Sequence, residues 1–221
     1  MNILKILVIS PHPDDETLGC GGTLLKFGKE GNALYWLIIT TISESLEREK
    51  EIVAVSNQYN FKDVCNLYLT PTKLDSLPIS DLISKISKYI SKIQPEIIFT
   101  CSNNDIHSDH HAVFNAVINA TKPFRSDYVR KILMYETISE TNVVPSLFEN
   151  NFYPNCFVDI SEYIKKKLNI MSIYKSEVMQ YPLPRSLDSI KALARYRGSQ
   201  CGVGYAEAFN IIREILKCNQ Q

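Results

Sequence analysis

Two rhythms of apolar residues alternate along this chain. Short, mostly apolar runs fall at residues 3–9, 33–39, 64–69, 96–100 and 131–135, as expected of strands buried in a sheet. Between them the apolar residues recur every three or four positions. Residues 17–29 place Leu18, Leu24, Leu25 and Phe27 on a helix that Gly31-Asn32 closes. Residues 44–59 form a charged helix with Leu46, Ile52, Val53 and Val55 inward. Residues 78–93 put Leu82, Ile83, Ile86, Tyr89, Ile90 and Ile93 on one stripe before Pro95. Strand alternating with amphipathic helix predicts a three-layer α/β/α, Rossmann-like fold with a mostly parallel sheet, as one domain over residues 1–221.

Beyond Thr121 the rhythm loosens. A strand at 157–160 follows a polar stretch, 136–154, suited to substrate-facing loops. A helix is predicted over 161–174 with Ser161 as its cap, and another over 186–197. Residues 198–204 are rich in breakers, and a last apolar segment occupies 206–216. No internal repeat or low-complexity tract interrupts the chain.

Composition narrows the classes. With 45% hydrophobic and 22% charged residues in 221, the chain can bury a substantial core. Lys+Arg and Asp+Glu are both 24, so no broad positive field exists for nucleic acid or an anionic membrane. The one basic run, Lys165-Lys166-Lys167, reads as the solvated face of a helix. The longest apolar run, 33–39, is far short of the roughly 20 residues a membrane-spanning helix needs. Residues 1–9 read as a strand and not a signal peptide. The six cysteines show no C-x-x-C spacing, which predicts reduced thiols and a cytoplasmic protein. Phe148, Phe152 and Tyr153 would suit an interface in a homo-oligomer.

Chemistry is concentrated in two clusters. His12-Pro13-Asp14-Asp15-Glu16 follows the first strand, and His107-Ser108-Asp109-His110-His111 follows the fourth, so the clusters hold all four histidines. A parallel sheet brings both loops to its carboxyl edge, where α/β proteins bind ligands. His12, one of the Asp14/Asp15 pair and one second-cluster histidine form the three-ligand set of a catalytic zinc site, with a fourth position left for water. The other aspartate is then free to act as general base. His107 and His110, three apart, divide metal binding and proton donation between them, and Asp109 is available to hold the non-ligating ring. Gly19-Cys20-Gly21-Gly22 lacks the glycine spacing of a dinucleotide loop.

With its glycines Gly19, Gly21 and Gly22, the segment from Pro11 to Leu18 resembles the PIG-L/LmbE family of zinc-dependent N-deacetylases. So do His107-Ser108-Asp109-His110 with Val113, Arg197-Gly198, and Gly204-Tyr205-Ala206-Glu207-Ala208-Phe209. The resemblance implies His12, Asp15 and His110 as zinc ligands and Asp14 as general base. It implies His107 as general acid or oxyanion stabiliser, oriented by Asp109. The implied substrate is a small molecule, an N-acetylglucosamine-type amino sugar or its conjugate. Arg48 and Glu51 resemble a family Arg-x-x-Glu, so Arg48, with Arg197 and Tyr205, is a candidate for substrate contact. An ion pair of Arg48 with Glu44 or Glu51 is the competing reading. His111 should point about 100° away from His110 and take no part. Two alternatives stand beside the deacetylase: an amidase on a thiol-sugar conjugate, and a noncatalytic metal- or sugar-binding protein on the same scaffold.

Overall fold

In the computed structural model, which describes residues 3–42, 45–145 and 152–216, the rhythm becomes one sheet. Its strands are β1 (Lys5–Ser10), β2 (Ala33–Thr40), β3 (Asp63–Leu69), β4 (Ile97–Cys101), β5 (Lys131–Tyr135), β6 (Cys156–Asp159) and β7 (Ala206–Glu214). The order is β3-β2-β1-β4-β5-β7-β6. Every pair from β3 to β5 is parallel, whereas β7 runs antiparallel to both β5 and β6. The helices are α1 (Asp15–Lys29), α2 (Leu46–Tyr59), α3 (Ile79–Ile93), α4 (Ser108–Ala120), α5 (Ile164–Met171) and α6 (Leu187–Cys201). Helix α3 packs on α4, while α1 meets α2 and α5, and α5 meets α6, giving a helical layer on each face.

The central strands are buried on both faces, which is why they read as unbroken apolar runs: Ile6 to Ile9 and Trp36 to Ile39 have no exposed surface. Chain order reverses between β1 and β4, so their carboxyl ends flank the switch point of the sheet. The segment leaving β1 is pinned by the polar tips of core side chains. Tyr135 Oη donates to the Ile9 carbonyl at 3.1 Å, Trp36 Nε1 to Ser10 Oγ at 2.8 Å, and Thr40 Oγ1 to the Pro11 carbonyl at 2.8 Å. Farther on, Tyr174 Oη donates to Glu16 Oε1 at 2.8 Å, and Tyr59 Oη meets Thr17 Oγ1 at 2.9 Å. Buried aromatics with satisfied hydroxyls supply both apolar area and fixed geometry.

Helix α1 is two helices joined at Cys20, whose φ of −142° is not helical. The break exposes unpaired groups on each side, and one buried ion pair completes both. Lys167 Nζ of α5 donates to the Leu18 carbonyl at 2.8 Å; Glu207 of β7 accepts from the amides of Gly22 and Thr23 at 2.8 and 2.7 Å. The two charges meet at 2.6 Å with side chains 4% exposed. The glycines around the break are packing positions, not a phosphate loop. A Cβ on Gly19 would lie 2.2 Å from the Tyr135 ring, and one on Gly22 would lie 2.8 Å from Ile160.

Several expectations are corrected. Leu46 and Val53 are exposed (77% and 58%), because the inward stripe of α2 is Glu51, Ile52, Val55 and Tyr59. Ser161 does not cap α5, which begins at Ile164; its hydroxyl donates instead to Asp159 Oδ1 and its Oγ accepts from the Tyr205 amide. Helix α6, capped by Ser186, runs on through Gly198 to Cys201, and Gly202 (φ 77°) ends it in the left-handed region. The apolar segment 206–216 supplies the antiparallel strand β7, where alternation of burial was masked by an unbroken buried start, Ala206 to Phe209. Phe148 and Cys218 lie outside the described residues, and Phe152 packs under the Arg197 guanidinium.

Replacing Lys167 with Met leaves the Glu207 carboxylate buried without its partner. Loss of one member of such a pair costs about 3–5 kcal/mol, so urea denaturation should show a large drop in midpoint. Lys167→Met combined with Glu207→Gln should recover part of it.

Candidate active site

Four strand ends build a cleft of about 760 Å³, including the part open to solvent. Its walls carry His12, Asp14 and Asp15 after β1, Thr40 and Thr41 from β2, His107 and His110 after β4, and Thr137, Ser139 and Glu140 after β5. Arg48, Glu177 and Arg185 close the remaining side.

At the base of the cleft three donors converge. His12 Nδ1 lies 3.3 Å and His110 Nε2 3.4 Å from Asp15 Oδ2, and ligand atoms of the three residues fall within 4.8 Å of one another. Each imidazole has its other nitrogen committed to a carboxylate. His12 Nε2 faces Asp109 Oδ2 at 3.1 Å, and His110 Nδ1 faces Asp105 Oδ2 at 2.6 Å. Such outer carboxylates fix the tautomer and raise the basicity of ligating histidines, so the donor set fits a divalent ion on the chemistry of its own residues. Asp15 also accepts from the His12 amide at 2.9 Å, which ties the two candidate ligands of the first loop together.

The electrostatics agree. Burial disfavours the charged form of His12, but hydrogen bonds to Asp109 and Asp15 outweigh it and push its pKa up to about 9. Burial opposes ionisation of Asp15 too, yet the His110 and His12 rings hold its carboxyl well below the usual carboxylate range. His110 is raised against its own burial by Asp15 and Asp105.

Asp14 is beside these groups but does not share their point of convergence. It occupies the cap of α1 without a side-chain capping bond, at φ 129°. A non-glycine residue there stores backbone strain of order 1–3 kcal/mol, a feature that concentrates at functional sites. Its amide donates to Glu16 Oε2 at 3.0 Å, and its carbonyl accepts from Thr17 and Leu18, so the strained turn is held from within the helix. Burial, with the charges of Asp15 and Glu177, raises the Asp14 pKa, against the opposing charge of Arg185 at 3.2 Å.

His107 caps α4 with its ring: Nδ1 accepts from the Asp109 amide at 3.1 Å. The proton of the neutral ring is therefore on Nε2. Burial and the neighbouring His12 and His110 rings, at 4.5 and 5.2 Å between centroids, lower its pKa. Here the expected role of Asp109 changes. Its carboxylate serves His12 and the amides of Thr72 (2.7 Å) and Leu74 (3.2 Å), and what orients His107 is the Asp109 backbone. His111 donates its ring to the Asp105 carbonyl and stays out of the cleft.

The three candidate substrate contacts separate. Arg48 lines the cleft and is ion-paired at once, to Glu51 at 3.1 Å and to Glu177. Arg197 and Tyr205 do not line it. Arg197 forms a two-pronged pair with Glu136 at 2.7 and 2.6 Å, and the Tyr205 backbone joins residues 160 and 161, so both close the C-terminal segment. Sequence reading missed Asp105, Glu177 and Arg185. Asp105, two residues before His107, was within reach of it; Arg185, in the run Pro182-Leu183-Pro184-Arg185, belongs to no motif.

Comparison with known proteins gives the family. A profile of the family described as "PIG-L: GlcNAc-PI de-N-acetylase" matches residues 7–121, the stretch that carries both clusters, and the chain belongs to that family. It is 28% identical over 181 residues to the uncharacterized deacetylase YaiS of Escherichia coli, spanning 77% of this chain and 90% of YaiS. It is 25% identical to the diacetylchitobiose deacetylase of Thermococcus kodakarensis, over 97% of this chain and 85% of that protein. The crystal structure of the conserved protein TT1542 from Thermus thermophilus superimposes with a TM-score of 0.78 at 27% identity, covering 99% of each chain. Family membership places this chain among hydrolytic N-deacetylases. No helix of the described residues is long and apolar enough to cross a membrane, and the five cysteines among them are free thiols.

Two outcomes test the site. Asp105→Asn should weaken binding of a divalent ion about 10- to 100-fold, read by competition with a chromophoric chelator. Because His12 keeps its proton up to about pH 9, an ion entering at pH 7 must displace it. Affinity should therefore rise as pH is raised toward 9, with calorimetric heats that depend on the buffer.

Proposed function

We propose that this chain is a zinc-dependent hydrolase that removes the N-acetyl group from an N-acetylglucosamine-type sugar or its conjugate. The observation that carries the proposal is the convergence of His12, Asp15 and His110, each imidazole backed by its own carboxylate, beside a strained and uncapped Asp14. In this reading His12, Asp15 and His110 hold the ion, which supplies Lewis acidity toward the acetamide carbonyl and a water of lowered pKa.

The chain's own residues do the rest. Asp14 takes a proton from the attacking water as the water oxygen bonds to the acetyl carbon. The Nε2–H of neutral His107 donates to the oxygen on which negative charge develops, a role supported by the Nδ1 acceptor bond and by the lowered pKa of the ring. As the C–N bond breaks, the proton held by Asp14 passes to the departing nitrogen, so acetate and a free amino sugar leave. Arg185 keeps the Asp14 carboxylate facing the cleft from 3.2 Å. Asp109 and Asp105 position the ligating rings. A binding protein needs neither a carboxylate outside the converging donors, as Asp14 is, nor the Nε2 donor of His107, which favours catalysis over the noncatalytic alternative.

Zinc-loaded protein should release acetate from N-acetylglucosamine conjugates. Asp14→Asn should lower kcat at least about a hundredfold, the contribution of a general base, while metal content measured by mass spectrometry stays near one ion per chain. Full activity in that variant would exclude Asp14 as base.

A further inference from the structure

The wall opposite the three donors is built from charges that cancel and then overshoot. Arg48 is held between Glu51, at 3.1 Å, and Glu177. Arg185 is held between Asp14, at 3.2 Å, and Glu177, at 2.8 Å. Two guanidiniums are thus engaged by three carboxylates. Among the described residues no lysine lines the cleft, and Glu140, the remaining acid on its rim, bonds to the Ser139 hydroxyl and has no cationic partner. Asp15, Asp105 and Asp109 add negative charge behind the base. Even with a dication bound, carboxylates outnumber the positive charges around the cleft.

The remaining polar groups suit hydroxyls. The Thr137 hydroxyl is buried on the cleft wall with no hydrogen-bond partner among the described residues, and Ser139 also lines the cleft. Glu140 and Glu177 reach the cleft as acceptors, which a sugar hydroxyl can satisfy and a phosphate or carboxylate cannot. Arg48 Nη1 and Arg185 Nε also lack a hydrogen-bond partner among the described residues, but each guanidinium already faces two carboxylates, so an anionic group here would meet like charge, which opposes binding.

Resting on the deacetylase reading above, we infer that the substrate is an uncharged N-acetylated amino sugar or glycoside, and that Glu140 and Glu177 select against conjugates carrying a phosphate or carboxylate near the acetamide-bearing ring. The cleft then discriminates by charge.

The test compares a neutral and an anionic substrate of similar bulk, methyl N-acetylglucosaminide and N-acetylglucosamine 1-phosphate, on the zinc-loaded full chain. The neutral one should have kcat/KM at least about tenfold higher, since like charges in apposition are penalised by more than that factor. Added salt should lower KM for the anionic substrate, because screening weakens repulsion, and should leave the neutral one unchanged. Glu140→Gln, which leaves both arginine pairs intact, should narrow the gap between the substrates severalfold. Preference for the phosphate, or a KM for it that rises with salt, would show that Arg48 and Arg185 receive an anion and would overturn the inference. If neither substrate releases acetate, the deacetylase reading falls by itself. Calorimetric titration of the same two compounds into the same protein would still rank neutral against anionic, and equal or tighter binding of the phosphate would overturn the charge selection independently.

Discussion

The hydrogen bond between His12 and Asp109 spans 97 positions in sequence and joins the loops that leave β1 and β4. Much of the site's geometry follows from it. Asp109 is anchored by two amides of the loop after β3, so it presents a fixed acceptor to one ring nitrogen and leaves the other facing Asp15. On the opposite side Asp105 does the same for His110, and Thr141 in turn donates to Asp105 at 2.5 Å. Two rings held from behind by carboxylates have little freedom left, which is how a donor set can be preorganised by the chain alone.

That arrangement separates roles among neighbours. Asp14 and Asp15 are adjacent, yet one is drawn below the ordinary carboxylate range by two imidazoles and the other is pushed above it by burial and like charge. The backbone helps, because adjacent side chains point apart on an extended or turning chain, and Asp14 holds the turn at φ 129°. His107 and His110 divide in the same way: one ring is engaged by an amide and the other by a carboxylate, and both lie within about one helical turn.

Much of this was legible in the chain itself. Buried parallel strands announce themselves as unbroken apolar runs, so β1 to β5 and the edge on which both clusters emerge followed from pattern, and the strand from 131 to 135 was placed to the residue. The antiparallel β7 was not legible, since Ala206 to Phe209 are all buried and give no alternation to read. Inward faces of α2 were misjudged because Glu51 is buried by its ion pair while Leu46 is not. Within the site, the three converging donors lay in recognisable motifs. What escaped were partners contributed across long distances by segments with no pattern of their own: Arg185 reaches Asp14 across 171 positions, and Glu177 meets Arg48 across 129. The exchange of Asp109 from His107 to His12 was equally invisible, because spacing along a helix says which residues are neighbours and not which atoms meet.

The broken helix α1 carries a consequence for the order in which the molecule is assembled. Its second half is completed by Glu207, 185 positions downstream of Gly22, and its first half by Lys167, 149 positions beyond Leu18. The turn that bears His12, Asp14 and Asp15 therefore cannot acquire its final support until nearly the whole chain has been gathered. Closing loops of that length is slow, so the two clusters are brought into register only late, when the C-terminal elements close on the broken helix.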